Sequence, residues 1–188
     1  MRLSAPRIAP LEDAELTDEQ REALKPMSAD GRSPINIFRT LARAPKALTR
    51  FNEWGSYVLS RRNSLPARER EIVILRVGFL CKSGYEFTQH TRIGLQQGLT
   101  EDEIVRIKKG AHAGWSAADA ALIQSADELV RGHFVSDATW AALARHFDEK
   151  QRMDVVFTVG QYTQVSMFLN TFGVQLEPGQ TVDADLMA

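Results

Sequence analysis

Along most of the chain the hydrophobic positions recur at three- and four-residue steps, the spacing of helices with one buried face. Leu48, Phe51, Trp54, Tyr57 and Val58 trace one such stripe within a helix expected from about Lys46 to Arg61. Two stretches break the pattern by being apolar on nearly every side. One is IVILRVGFL, residues 72–80; the other covers roughly Glu149 to Phe172 and is interrupted by Gln161, Tyr162, Thr163 and Gln164. Helices of that kind are buried within a bundle or between subunits.

Local signals set the boundaries. Thr17 to Gln20 and Thr100 to Glu103 have the form of capping boxes, and Ser116 and Ser136 or Asp137 stand at further helix starts. Ser33-Pro34 and Ser64-Leu65-Pro66 read as caps followed by a proline in the first turn. Gly98, Gly110 and Gly173 are natural stops. The result is seven or eight helices with short connections and no convincing strand pair, an all-α fold. Residues 1–33 form an N-terminal arm and short helix, with a loop from Ser28 to Ser33. Residues 34–178 form the helical domain, and residues 179–188 a tail, the chain being extended from about Val174 onward.

Composition narrows the function classes. The 188 residues suit one domain, and 44% hydrophobic with 25% charged residues suits a soluble globular protein. A net charge of −1 gives no footprint for nucleic acid or an anionic membrane. No apolar run approaches the ~18–20 residues of a membrane span, and the N-terminal stretch lacks the apolar core of a signal peptide. Cys81 is the only cysteine, which rules out an intrachain disulfide and fits a cytoplasmic location. No two histidines have the i, i+4 spacing of a metal site, so no metal is expected, and with no Gly-rich phosphate loop in the chain no cofactor is expected either.

Candidate chemistry gathers between Glu71 and His90, where the apolar run ends at Cys81-Lys82-Ser83-Gly84. On a helix, Glu86 and His90 share one face at i and i+4, and a chain reversal near residues 81–84 would return Glu71 toward His90. A carboxylate on one ring nitrogen fixes the imidazole tautomer and leaves the other nitrogen for proton transfer. The bland reading of Ser83 and Glu86 is a capping box, Ser83-Gly84-Tyr85-Glu86. Cys81, on an apolar stretch, reads as an inert buried thiol. Arg76, a charge within a buried segment, needs either a core carboxylate or a substrate carboxylate as partner. His112, His133 and His146 read as surface residues.

Glu71, eleven intervening residues, and then SGYEFTQH to His90 resemble the core of the carboxymuconolactone decarboxylase family. LPARERE with IVILRVGFL, GLTEDEI and GQYTQVSMFLNTFGVQLEP extend the resemblance over roughly residues 34–178. The alkylhydroperoxidase D branch of that family has Glu, eleven residues, then Cys-x-x-Cys-x-x-x-His. Glu71 and His90 match this pattern, whereas Ser83 and Glu86 stand where the two redox cysteines would be. The resemblance implies an all-helical homo-oligomer (dimer, trimer or hexamer) with sites near subunit contacts. Without the cysteine pair it points away from a thiol peroxidase and toward the decarboxylase branch, a cofactor-independent lyase of aromatic or lactone catabolism. Its substrate would be a small carboxylate or lactone. On that reading His90, Glu86 and Glu71 are the catalytic group, and Arg76, Arg92, Ser83 and Tyr85 bind substrate. The competing readings are a peroxidase-like protein using Cys81 and a ligand-binding helical oligomer without catalysis.

Overall fold

The computed structural model describes residues 2–28 and 31–187, so the middle of the predicted Ser28 to Ser33 loop lies outside the described residues. Within them there are nine α-helices and no strand: α1 (Asp18–Leu24), α2 (Asn36–Leu41), α3 (Pro45–Leu59), α4 (Ala67–Leu80), α5 (Gly84–Gln96), α6 (Glu101–Lys109), α7 (Ala117–Gly132), α8 (Asp137–Ala144) and α9 (Glu149–Phe172). The all-α expectation holds. The nine helices exceed the expected seven or eight.

The bundle is organised around α4, which is buried without a break from Arg70 to Gly78 and packs against α5, α7 and α9. Its apolar circumference follows from that position, since each side of the helix meets a different neighbour. Ile72, Val73, Ile74, Leu75 and Val77 join Leu122, Ile123, Leu143, Val155 and Val159 in the main core. A second cluster gathers Ile37, Tyr85, Val165, Leu169 and Val174. The other helix that is apolar all round, α9, keeps Met153, Val156 and Met167 exposed. None of the helices among the described residues is long and apolar enough to cross a membrane.

Most terminators behave as the sequence indicates. Thr17 and Thr100 form reciprocal capping boxes, Ser116 and Ser136 cap α7 and α8, and Gly173 ends α9 in the left-handed conformation. Two predicted caps are corrected. Helix α2 begins at Asn36, and Ser33 Oγ instead accepts from Arg39 Nη2 at 2.7 Å. Helix α4 begins at Ala67 with Pro66 as its N-cap, while Ser64 turns to Asp154 of α9, its N–H at 2.7 Å and its hydroxyl at 2.6 Å. In each case a charged partner outcompetes a neutral capping contact. The chain after Val174 is tied down: Glu177 accepts from Tyr85 Oη at 2.8 Å and from the Asn36 backbone at 2.9 Å, and Lys108 bridges to Asp183 at 3.0 Å and Asp185 at 2.5 Å.

The turn between α4 and α5 decides where the candidate site lies. Lys82 N–H donates to Phe79 O at 3.0 Å and Ser83 N–H to Gly78 O at 2.8 Å, the paired bonds of a Schellman motif. That motif needs a left-handed residue after the cap, and the exposed Lys82 occupies it with φ 52°. Lys82→Gly is therefore expected to stabilise the fold by about 0.5–1 kcal/mol, seen as a higher urea midpoint with an unchanged slope. A lower midpoint would mean that the lysine side chain contributes a contact of its own.

Candidate active site

Helices α4 and α5 leave this turn side by side, and two glycines let them run close. A Cβ on Gly78 would lie 3.5 Å from Glu86 Cγ, and one on Gly94 would lie 2.9 Å from Leu99 Cδ1 and 3.7 Å from Glu71 Cβ. Glu71 and His90, 19 positions apart, thereby meet inside the bundle, with Glu71 Oε2 2.7 Å from His90 Nδ1. The other ring nitrogen is also engaged, Nε2 lying 3.0 Å from Glu86 Oε1 one turn back on α5. All three side chains are buried, with Glu71 only 1% exposed. The edge of the Tyr162 ring, from α9, closes over the imidazole at 4.9 Å between centroids.

This geometry corrects two expectations. The second nitrogen of His90 is not free but faces a second carboxylate. Nor does Ser83-Gly84-Tyr85-Glu86 form a capping box: Ser83 makes no side-chain cap, and its hydroxyl is buried without a partner among the described residues. The Schellman turn holds the Ser83 backbone, and Glu86 finds in His90 a charge-assisted partner stronger than a neutral cap.

Burial opposes a charge on His90, but the carboxylates of Glu71 and then Glu86 more than offset it and raise the imidazole to about 10. At neutral pH His90 is therefore an imidazolium set between Glu71 and Glu86. Burial, reinforced by the charges of Glu86 and Glu71, pushes the Tyr162 phenol well above its ordinary value, so it stays a neutral donor.

The line opens at one end. His90 and Glu86 border a cavity of about 360 Å³, while Glu71 stands behind them and does not touch it. Ile37 and Phe38 from α2, Phe51, Asn52 and Gly55 from α3, Tyr85, Gln89 and Ile93 from α5, and Gln161, Tyr162 and Val165 from α9 complete its walls. The cavity is apolar and aromatic apart from a few amides and the acid–base group, the usual make-up of a small-molecule site.

The remaining predicted residues separate. Arg92 lines the cavity and is exposed, and so can meet an incoming anion. Tyr85 contributes its ring to the wall while its hydroxyl is held by Glu177. Arg76 is corrected from substrate binding to an internal ion pair. Its Nε and Nη2 lie 2.5 and 2.9 Å from the Asp127 carboxylate and its Nη1 donates to the Ile107 and Lys108 carbonyls, away from the cavity. Ser83, fully buried and outside the cavity lining, is corrected likewise. Cys81 does not border the cavity, and burial, only partly countered by Ser166, Arg2 and Thr163, pushes its thiol up. A thiol held protonated is a poor nucleophile. His112, His133 and His146 are exposed.

The sequence reading missed the residues from α2, α3 and α9 that wall the cavity. The one available signal was the polar interruption at Gln161 and Tyr162 in an otherwise apolar helix.

Residues 45–127, which carry α3 to α6 and the Glu71–His90 pair, match the carboxymuconolactone decarboxylase family. No curated protein matches the chain in sequence. Among solved structures, an alkylhydroperoxidase AhpD core protein from Ralstonia eutropha JMP134, described as an uncharacterised peroxidase-related protein, superposes with a TM-score of 0.78. It is 19% identical, over 91% of this chain and 93% of that one. A peroxidase-related protein from Silicibacter sp. TM1040 gives 0.76 at 14% identity over 94% and 92%. The debrominase Bmp8 in complex with 2,3,4-tribromopyrrole gives 0.75 at 11% over 93% and 94%. At these identities the likeness is one of fold. The motif-bearing helices thus match the carboxymuconolactone decarboxylase family, and the all-helical fold is that of the AhpD-like structures.

Proposed function

We propose that the protein is a cofactor-independent acid–base enzyme, a carboxy-lyase acting on a small carboxylated lactone or aromatic catabolite. The observation that carries this reading is the line Glu71–His90–Glu86, hydrogen-bonded at Nδ1 and ion-paired at Nε2, buried at one end and opening at the other into an apolar cavity. Such a line stores a proton where it can be passed to substrate, and the apolar wall disfavours a carboxylate more than the neutral carbon dioxide that leaves.

Arg92 at the mouth would receive the substrate carboxylate. The bond from the carboxylate carbon to the ring carbon breaks, and its electron pair passes into the conjugated carbonyl as carbon dioxide departs. The resulting enolate carbanion takes a proton on carbon from the His90–Glu86 pair. The proton is replaced from solvent, so the cycle needs no oxidant or reductant. A donor held at about 10 is adequate, because a carbanion conjugated with one carbonyl is far more basic than that. The exposed methionines of α9 and the exposed Trp54 of α3 favour a homo-oligomer.

A thiol peroxidase has less support, since the two motif positions hold Ser83 and Glu86 and the single thiol of Cys81 faces elsewhere. The test is carbon dioxide release from a panel of carboxylated lactones and aromatic carboxylates, without added cofactor. Release by the wild type that Glu86→Gln abolishes is the expected result. Peroxide turnover that Cys81→Ser abolishes, with no release from any member of the panel, would sink the proposal.

A further inference from the structure

The wall of the cavity that holds the acid–base group carries an amide that the bundle leaves unanswered. Gln161 sits in the middle of α9, is 4% exposed, and lines the cavity. Its Oε1 is enclosed and has no hydrogen-bond partner among the described residues. An enclosed carbonyl without a donor is costly, and proteins seldom keep one without a use for it. Gln89, the other glutamine in the lining, shows the contrast: Glu177 and Gln180 hold its amide.

The helix facing Gln161 makes room for it. Gly55 lies inside α3, where glycine weakens a helix relative to alanine, and a Cβ there would stand 3.6 Å from Gln161 Nε2. On the same helix, Asn52 and Ser56 flank that glycine and line the cavity too. Gln161 also lines a second hollow of about 370 Å³, together with Leu48, Trp54 and Phe168.

We propose that Gln161 is the specificity-determining residue of the cavity: its amide carbonyl accepts from an O–H or N–H on the ring of the ligand, fixing that ring against Glu86 and His90. The ligand class is a small planar ring carrying a hydrogen-bond donor, such as a phenol or a heteroaromatic N–H compound. This rests on reading the cavity as the substrate site. A site that supplies a buried acceptor discriminates strongly against an analogue lacking the donor, because the acceptor is then left unpaired.

The test uses binding, so it is independent of turnover. Calorimetry is run with 4-hydroxybenzoate and 4-methoxybenzoate, which share a ring and a carboxylate for Arg92 and differ in the donor. The wild type is expected to bind the hydroxy compound at least tenfold more tightly, and Gln161→Leu to bind the two within twofold of each other. Gln161→Leu is also expected to melt at a higher temperature than the wild type when no ligand is present, because it removes an unpaired carbonyl from the interior; a merely structural glutamine would give a lower one. Equal affinities in the wild type, a preference that survives in Gln161→Leu, binding of neither compound at millimolar concentration, or a lowered melting temperature would each overturn the assignment. Loss of the acid–base reading would instead show as turnover unaffected by Glu86→Gln, with this selectivity intact.

Discussion

Glu86→Gln is expected to lower turnover by a factor of ~10²–10⁴ with little change in KM. The amide keeps the shape of the side chain and can still accept from His90 Nε2, now 3.0 Å from the carboxylate. What it loses is charge. It can no longer take up or return a proton, and the imidazolium loses one of the two carboxylates that hold its proton in a buried place. Glu71→Gln is expected to act in the same direction through His90 alone, because Glu71 stands behind the imidazole and does not border the cavity. It is a positioning residue, and its replacement is expected to shift the pH profile of kcat along with its size. Cys81→Ser is expected to leave carbon dioxide release within about twofold of wild type, as befits a group outside the cavity. Steady-state rates for the three variants check the set. A Glu86→Gln enzyme with wild-type kcat would remove Glu86 from the chemistry.

The second large effect is on stability. Asp154, fully buried on α9, accepts from Tyr57 Oη at 2.7 Å, from Ser64 N–H at 2.7 Å and Oγ at 2.6 Å, and from Lys150 Nζ at 3.0 Å. One carboxylate thus ties α3, the loop that launches α4, and α9. Asp154→Ala strands a backbone N–H, a phenol and a hydroxyl, and is expected to cost about 3–5 kcal/mol, measured by urea unfolding near neutral pH. Burial alone would raise this carboxyl, but the donors from Ser64, Tyr57 and Lys150 hold it below its usual range. A depressed carboxyl stabilises above its unfolded pKa, and the contribution is lost as pH falls through the folded value. The wild-type advantage over Asp154→Ala is therefore expected to shrink in acid and to be complete at neutral pH. A loss below about 1 kcal/mol at neutral pH would show that the cluster is solvated and relaxes.

The same cluster shows where sequence reading stops. The helices, their capping boxes at Thr17 and Thr100 and the glycine stop of α9 were legible, because each depends on residues within one turn of one another. The unbroken burial of α4 was legible from its composition alone. What was not legible depends on partners far along the chain. Ser64 reads as a cap until Asp154, 90 positions later, takes both its donors. Arg76 reads as a possible substrate ligand until Asp127, 51 positions later, neutralises it. At the site, spacing indicated the Glu71, Glu86 and His90 set, but a local rule assigned Glu86 to Ser83. It missed that a charged histidine one turn on is the stronger partner. The cavity itself, assembled from α2, α3, α5 and α9, left no contiguous trace.

The central claim is that His90 carries a proton between two carboxylates at neutral pH. Ring nitrogen chemical shifts of histidine-labelled protein, followed from pH 6 to 11, test it directly. Both nitrogens of His90 are expected to stay protonated through neutrality and to titrate near 10. The exposed His112, His133 and His146 serve as internal references. Because the folded value lies above the unfolded one, stability linked to His90 is complete below the ordinary imidazole pKa of about 6.5. It should then fall by up to about 1.4 kcal/mol per pH unit until the folded value is passed. In Glu86→Gln the titration should move down. A His90 that is neutral at pH 7, with one nitrogen unprotonated, would contradict the account.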